Sequence, residues 1–355
     1  MKVLQVCAYA APYEGNFIKS LKALGEELKE RGHEMLYAFP EKAQKISWCQ
    51  KLANESKVYF LPLAKARIRP ATYLALRRIY HDNPTIGIVH SHFELYDIPI
   101  NVVTPRNVRI YWHLHDCIEQ LSQLKHRVLH KIQYCLLHRN AQLLAVGETP
   151  MKYVLNLGFP AKQAKLFPNG IDINRINYLN SIEFVKYDFL MFGWLYRIKG
   201  VDLAIKAFKS LKQGFPKARM GIVCNDATTN NIKSDFGDVE GIDLLAPVPN
   251  VNDIYSQTKS FLHISRAEGQ SYALLEAIYA GLPIICSDIS VNMFANGIPS
   301  VFMVHSEDIN DIKEKMLYVL EHDIEDEVRK KSSEIIQNKY SISCWVTKVL
   351  EQYAI

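Results

Sequence analysis

Short apolar runs alternate along this chain with amphipathic segments whose apolar positions recur every three or four residues. Residues 3–9 read as a strand; Phe17, Ile18, Leu21, Leu24 and Leu28 then fall on one helix face, closed by Arg31-Gly32-His33, and residues 34–39 form the next strand. Further strands are expected at 58–61, 86–90, 108–113 and 142–146. After the turn-rich Phe167-Pro168-Asn169-Gly170-Ile171-Asp172 the pattern starts again, with strands at 189–193, 219–224, 261–265 and 283–287 and a helix face of Val201, Ala204, Ile205, Phe208 and Leu211. Strand and helix in alternation imply parallel sheets covered on both faces, an α/β fold. The boundaries fall at 1–168 and 169–340, and a last helix, 341–355, presents Trp345, Val346, Val349, Leu350 and Tyr353 on one side. Two doubly wound domains facing one another would hold their ligands at the strands' carboxyl ends, in the cleft between them.

A length of 355 residues, 48% of them hydrophobic, suffices for two cores of roughly 170 residues each. The seven cysteines are scattered, odd in number and without a C-x-x-C pair, which points to reduced thiols and a cytosolic compartment. No apolar stretch approaches the ~20 residues that span a bilayer. The short run at 1–10, interrupted by Gln5, reads as a strand rather than as a signal peptide. The net charge of +5 is concentrated in the first half: no acid occurs between Lys57 and His81, nor between Gln120 and Gly147. Within the second stretch Leu121, Leu124, Val128, Ile132, Cys135 and Leu136 form a helical apolar stripe. The ordinary expectation is that this stripe faces the core; the sharper one is a peripheral contact with anionic lipid or a polyprenyl diphosphate.

The densest chemistry lies at Ser265-Arg266-Ala267-Glu268-Gly269-Gln270-Ser271-Tyr272-Ala273-Leu274-Leu275-Glu276-Ala277. An apolar strand precedes it, and Leu274, Leu275 and Ile278 give the spacing of a helix ending at Gly281. Gly269 allows a tight bend, Ser271 is a candidate N-cap, and the N–H groups of Tyr272 and Ala273 would face an anion such as a diphosphate. Glu276, one turn in, can accept two hydrogen bonds from a vicinal diol such as a ribose, while Glu268 would face a sugar.

Upstream, Phe192-Gly193-Trp194-Leu195-Tyr196-Arg197-Ile198-Lys199-Gly200 links a strand to a helix, as Ala11-Pro12-Tyr13-Glu14-Gly15-Asn16 does near the start. His90-Ser91-His92 and His113-Leu114-His115-Asp116 each follow a strand and admit a metal-ligand reading, that of an amidohydrolase-like enzyme. There is neither a G-x-G-x-x-G nor a Walker A motif, which counts against nicotinamide and NTPase chemistry.

The stretch around Glu268 and Glu276 resembles the signature of family 4 retaining glycosyltransferases of the GT-B fold, and Pro168-Asn169-Gly170-Ile171-Asp172 matches an element of the same family. The resemblance implies two Rossmann-like domains, with the 341–355 helix crossing back to the first. It implies transfer of a hexose, from a UDP-sugar by the closest analogy, to a glycan or polyprenyl-diphosphate-linked acceptor in cell-surface polysaccharide synthesis. No metal, cofactor or nucleic acid is expected, and the setting would be cytoplasmic, at the inner face of the membrane. Catalytic roles carry over to Glu268, His115 (oriented by Asp116), Lys199 and Arg197; donor contacts carry over to Gly15, Asn16, Gly193, Lys199, Gly269, Gln270, Ser271, Tyr272, Ala273 and Glu276. Trp194 stands where the family commonly has Arg, and Arg197 is the candidate substitute. A nucleotide-sugar epimerase, a non-catalytic nucleotide binder and a metal hydrolase built on His90, His92, His113 and His115 are the alternatives.

Overall fold

The structure is a computed structural model and describes residues 1–115, 124–179 and 185–355, with backbone alone for 124–127. It divides into two compact units, Met1–Gly170 together with Ile342–Ile355, and Ile171–Ser341. In the first, strands β1 (Lys2–Cys7), β2 (Glu34–Pro40), β3 (Val58–Leu61), β4 (Ile86–His92), β5 (Arg109–Leu114), β6 (Gln142–Ala145) and β7 (Ala164–Leu166) form a sheet of order β3-β2-β1-β4-β5-β6-β7. All its pairs are parallel. Its helices are α1 (Gly15–Glu30), α2 (Ser47–Glu55), α3 (Pro70–Asp82), α4 (Asp97–Val103), α5 (Leu124–Lys131) and α6 (Glu148–Asn156).

The second unit holds β8 (Tyr187–Phe192), α7 (Val201–Leu211), β9 (Met220–Val223), α8 (Asp226–Phe236), β10 (Ile242–Leu245), α9 (Asn252–Tyr255), β11 (Thr258–His263), α10 (Tyr272–Tyr279), β12 (Ile284–Ser287), β13 (Val301–Val304), α11 (Ile309–Glu321) and α12 (Asp326–Tyr340). Its sheet order is β10-β9-β8-β11-β12-β13. The final helix, α13 (Ile342–Tyr353), belongs to the first unit.

Strand periodicity sorts the side chains between the faces. On β1, Val3 and Cys7 join the core beneath α1, α2 and α13, whereas Leu4 and Val6 join the core beneath α3 and α6. Gln5 therefore points with Val3 and Cys7, as Ile88 on β4 and Tyr111 on β5 do. His90, His92, His113 and His115 fall in the same alternation and face the α13 side. Both sheets reverse direction once, between β1 and β4 and between β8 and β11. Ligands of open parallel sheets lie at the strand carboxyl ends beside such a reversal, so each unit has one defined place for chemistry.

The apolar stripe on the fifth helix corrects an expectation. Val128, Ile132 and Leu136 are 57%, 40% and 71% exposed, so among the described residues the stripe turns outward. The helix closes in a wide π turn at Ile132–Leu136 and buries His130, Gln133 and Tyr134 instead. These polar groups are needed inside because two carboxylates wait there. His130 Nε2 lies 3.2 Å from Glu94 Oε2, and Gln133 Nε2 donates to Asp97 at 3.2 Å. Leu121 lies outside the described residues.

Candidate active site

In the second unit the loop after β8 and the loop after β11 meet. Gly200, at the N-cap of α7, sits at φ +65°, and a Cβ there would collide with the Ile264 carbonyl oxygen, so a glycine at this position is a steric requirement of the meeting. Arg266 locks it: its N–H donates to Ile198 O at 2.8 Å, and its guanidinium grips Asp202 on α7 through two bonds of 2.7 and 3.0 Å. Burial favours the neutral acid at Asp202, but the Arg266 and Arg197 guanidinium groups outweigh it and hold the carboxyl below its ordinary range.

The meeting brings Lys199 Nζ onto Glu268 as a short ion pair, and the Ser265 hydroxyl donates to the same Glu268 oxygen at 2.6 Å. Burial pushes the Glu268 carboxyl up, yet the Lys199 charge with His263 and the hydrogen bonds keeps it below 4.5. His263, 3.7 Å away, is held neutral down to about 4 by burial. Three residues beyond Glu268, Ser271 caps α10, its hydroxyl accepting from Leu274 N at 3.4 Å. Gln270 and Ser271 are buried, whereas Tyr272 and Ala273 are half-buried at the helix start. Glu276, one turn on, is buried and ion-paired with Arg175, whose carbonyl in turn accepts from Asn252 at 2.9 Å.

In the first unit Gly15 opens α1 at φ +61°, followed by the buried Asn16. At the ends of β4 and β5 four histidines stack. Ring centroids are 4.3 Å apart for His90 and His92, 5.4 Å for His90 and His113, and 4.1 Å for His113 and His115. Burial holds all four below their ordinary value, His90 and His115 at about 3. Ligand atoms of His90, His92 and His113 lie within 4.8 Å of one another. The His90 ring stacks on His92 and on His113 at interplanar angles of 23° and 13°, while His92 and His113 are tilted by 36°. Both His92 nitrogens are also engaged, with His115 at 2.9 Å and Gln5 at 2.8 Å. His92 is thus held by hydrogen bonds, whereas both His113 nitrogens and His90 Nε2 are buried without a hydrogen-bond partner.

Of the residues singled out in the sequence, Lys199, Glu268, Gly269, Gln270, Ser271, Tyr272, Ala273 and Glu276 come together around the β8–β11 reversal. Gly193 directly follows β8 in the same place, donating to Val223 O at 2.9 Å. Arg197 does not join them: its guanidinium is drawn to Asp202 at 2.7 Å and Asp235 at 3.3 Å. Trp194 is 38% exposed. Gly15, Asn16 and His115 share the β1–β4 reversal of the other unit, and Asp116 lies outside the described residues. Both nitrogens of His115 are engaged, with His92 and with Asn169 Oδ1 at 3.0 Å. Arg175 and the clamp formed by Arg266 were not assigned roles from the sequence. Arg175 stands 101 positions from its partner, and nothing local marks it.

Residues 19–175 match the family described as Glycosyltransferase Family 4, and residues 186–322 match Glycosyl transferases group 1. The two matches take in most of the chain, and it belongs to the family 4, group 1 glycosyltransferases. No curated protein matches it in sequence. Among solved structures it is similar to a glycosyltransferase of Rickettsia africae, at TM-score 0.82 and 14% identity over 99% of this chain and 97% of that one. HepE of Anabaena, solved with UDP, gives 0.79 and 14% over the whole of both chains. Sucrose-phosphate synthase of Thermosynechococcus elongatus gives 0.78 and 13% over 100% and 98%. These similarities establish the GT-B fold.

Proposed function

We propose that the chain is a retaining hexosyltransferase that uses a nucleoside diphosphate sugar, UDP-linked, and needs no metal. The observation that carries the reading is the pairing of Lys199 with Glu268 beside the Ser271-capped start of α10, with Glu276 one turn further on. A cation and oriented amides suit a diphosphate, and a fixed carboxylate suits a ribose diol. HepE, of the same fold, has been solved with UDP-glucose, which supports this choice of donor. In the reaction the bond from the sugar's anomeric carbon to the diphosphate breaks, the acceptor oxygen bonds that carbon from the same face, and the departing diphosphate takes the acceptor's proton. Charge builds on the leaving group, so preorganised positive potential is the main lever. Glu268 is then the carboxylate proposed to face the sugar's hydroxyls.

The acceptor is proposed to be a glycan or polyprenyl-diphosphate-linked oligosaccharide of cell-surface polysaccharide synthesis, met at the inner face of the membrane. For the membrane contact, the outward stripe of Val128, Ile132 and Leu136 is one support, and the other is a basic concavity of about 430 Å³ at the amino ends of β5, β6 and β7, away from the reacting end, lined among the described residues by Arg106, Arg109, Arg139 and Lys165 and by no carboxylate. Among the described residues no helix is long and apolar enough to cross a membrane.

Incubation with a panel of nucleotide sugars tests the reading. UDP-hexose should be consumed with release of UDP, faster when a lipid-linked or glycan acceptor is present and unaffected by EDTA. Conversion of the donor to an isomer without release of nucleotide would make the protein an epimerase instead.

A further inference from the structure

A single file of hydrogen bonds runs through the first unit. Asn169 meets His115 Nδ1 at 3.0 Å, His115 Nε2 meets His92 Nδ1 at 2.9 Å, and His92 Nε2 meets Gln5 at 2.8 Å. Gln5 then meets the Tyr353 hydroxyl at 3.0 Å, which meets His90 Nδ1 at 2.6 Å. Every member from His115 to His90 is buried. We infer that Gln5, His92 and Tyr353 are positioning residues that fix which nitrogen of His115 carries the proton, and hence whether His115 meets the donor as a hydrogen-bond donor or acceptor.

The inference is a matter of counting protons. A neutral imidazole has one N–H, and each link in the file holds one hydrogen, so a neutral file points wholly one way or wholly the other. In one polarity His115 Nε2–H donates to His92, His92 to Gln5, Gln5 to Tyr353, and Tyr353 to His90. That leaves His90 Nε2 as an N–H, and this atom is buried without a partner. In the other polarity His90 Nδ1–H donates to Tyr353, Tyr353 to the Gln5 carbonyl oxygen, Gln5 to His92 Nε2, His92 Nδ1–H to His115 Nε2, and His115 Nδ1–H to the Asn169 oxygen. His90 Nε2 is then only a bare lone pair. A buried orphan N–H is the costlier defect, so the second polarity holds. It fits the Asn169 oxygen that faces His115 Nδ1, and it requires the Gln5 amide to be turned end for end from its placement in the structure, where Oε1 faces His92 Nε2 and Nε2 donates to the Tyr353 hydroxyl; the two ends of an amide are alike in shape, so the hydrogen-bond network decides between them.

The consequence for the site follows directly. With His92 donating into His115 Nε2, the nitrogen that can leave Asn169 and turn to a ligand is Nδ1–H, so His115 offers a proton to a sugar hydroxyl or phosphate oxygen. Tyr353 lies on α13, which makes the C-terminal helix part of this positioning.

This rests on the proposed donor site, but its first test does not. Protein labelled with 15N at histidine shows, through long-range proton–nitrogen correlations, which ring nitrogens carry hydrogen. His115, His92 and His90 should all read as Nδ1–H in the ligand-free protein. Nε2–H at His115 overturns the inference, whatever the activity proves to be. Gln5→Glu supplies an acceptor on both sides, so in the protein that remains folded it should switch His92 and His115 to Nε2–H and raise donor KM, with a lowered melting temperature because the new carboxylate is buried. An unchanged tautomer in a folded Gln5→Glu protein also overturns it. Tyr353→Phe keeps the ring packing and removes the link; it should leave His115 as a mixture of both tautomers, and a single unchanged form counts against the relay. If the tautomers behave as stated but no nucleotide sugar is turned over, the relay stands and the donor reading falls.

Discussion

Replacing Lys199 by Met keeps the length of the side chain and removes its charge. Glu268 would then lose the main influence that opposes its burial, since its carboxylate is 11% exposed and the lysine 19%. Removing one partner of a fully buried pair costs ~3–5 kcal/mol. The Ser265 hydrogen bond remains, so a loss of roughly 2 kcal/mol is expected at neutral pH. The pH dependence gives the sign. In the wild type the folded Glu268 titrates below its ordinary 4.5, so its contribution is complete above that value and is lost as pH falls through the folded one. In Lys199→Met, burial goes largely unopposed and the folded value rises above the ordinary one. Glu268 then destabilises at neutral pH, and protonation relieves it on acidification. Urea unfolding should thus show a gap between the two proteins that is widest near about pH 7 and narrows toward about pH 4. Turnover should fall by roughly 10²-fold, the scale for losing one transition-state contact to a developing anion. A constant gap across that range would refute the coupling, and near-normal turnover would refute the assignment of Lys199.

Glu276→Ala should raise donor KM with kcat less affected, and Arg175→Ala should do the same more weakly, because it frees the carboxylate that binds ribose. Initial-rate kinetics against donor concentration checks both. Gly200→Ala forces a left-handed residue against the Ile264 carbonyl and should cost more than the ~1–2 kcal/mol of the conformation alone, read by chemical denaturation. The four stacked histidines remain neutral when folded, whereas the unfolded chain takes up their protons below ~pH 6.5; stability should fall on acidification by up to ~1.4 kcal/mol per pH unit for each histidine, and flat stability between about pH 7 and pH 5 would contradict this. Liposome flotation should show binding to anionic but not neutral vesicles, weakened by salt and by a Val128→Glu, Leu136→Glu double substitution.

Much of the fold was readable because central strands of a parallel sheet are continuous apolar runs. The expectations at 86–90 and 142–146 lie within a residue or two of β4 and β6, and the one at 58–61 coincides with β3, an edge strand that was readable because its four residues, Val58-Tyr59-Phe60-Leu61, are all apolar or aromatic. The strands that went unread, β7, β10 and β13, are edge strands of three or four residues, mostly half-exposed, whose composition is that of a loop. The fifth helix misled for a related reason. Periodicity locates an apolar stripe but not the direction it faces, and here buried carboxylates at Glu94 and Asp97 draw polar residues inward. In the candidate site Ser271, Glu268 and Glu276 were legible because a helix start sets their spacing. Arg175, Arg266 and the Gln5–Tyr353 link were not, because each joins residues distant in sequence, and an ion pair leaves no periodic trace.

The central claim is that Lys199 and the start of α10 hold a diphosphate while Glu276 holds the ribose. A crystal structure of the protein with UDP bound decides it. The account predicts the β-phosphate within hydrogen-bond distance of Lys199 Nζ and of an amide at Tyr272 or Ala273, with both ribose hydroxyls on the Glu276 carboxylate. Nucleotide seated elsewhere, or none bound at a concentration that supports turnover, would contradict it.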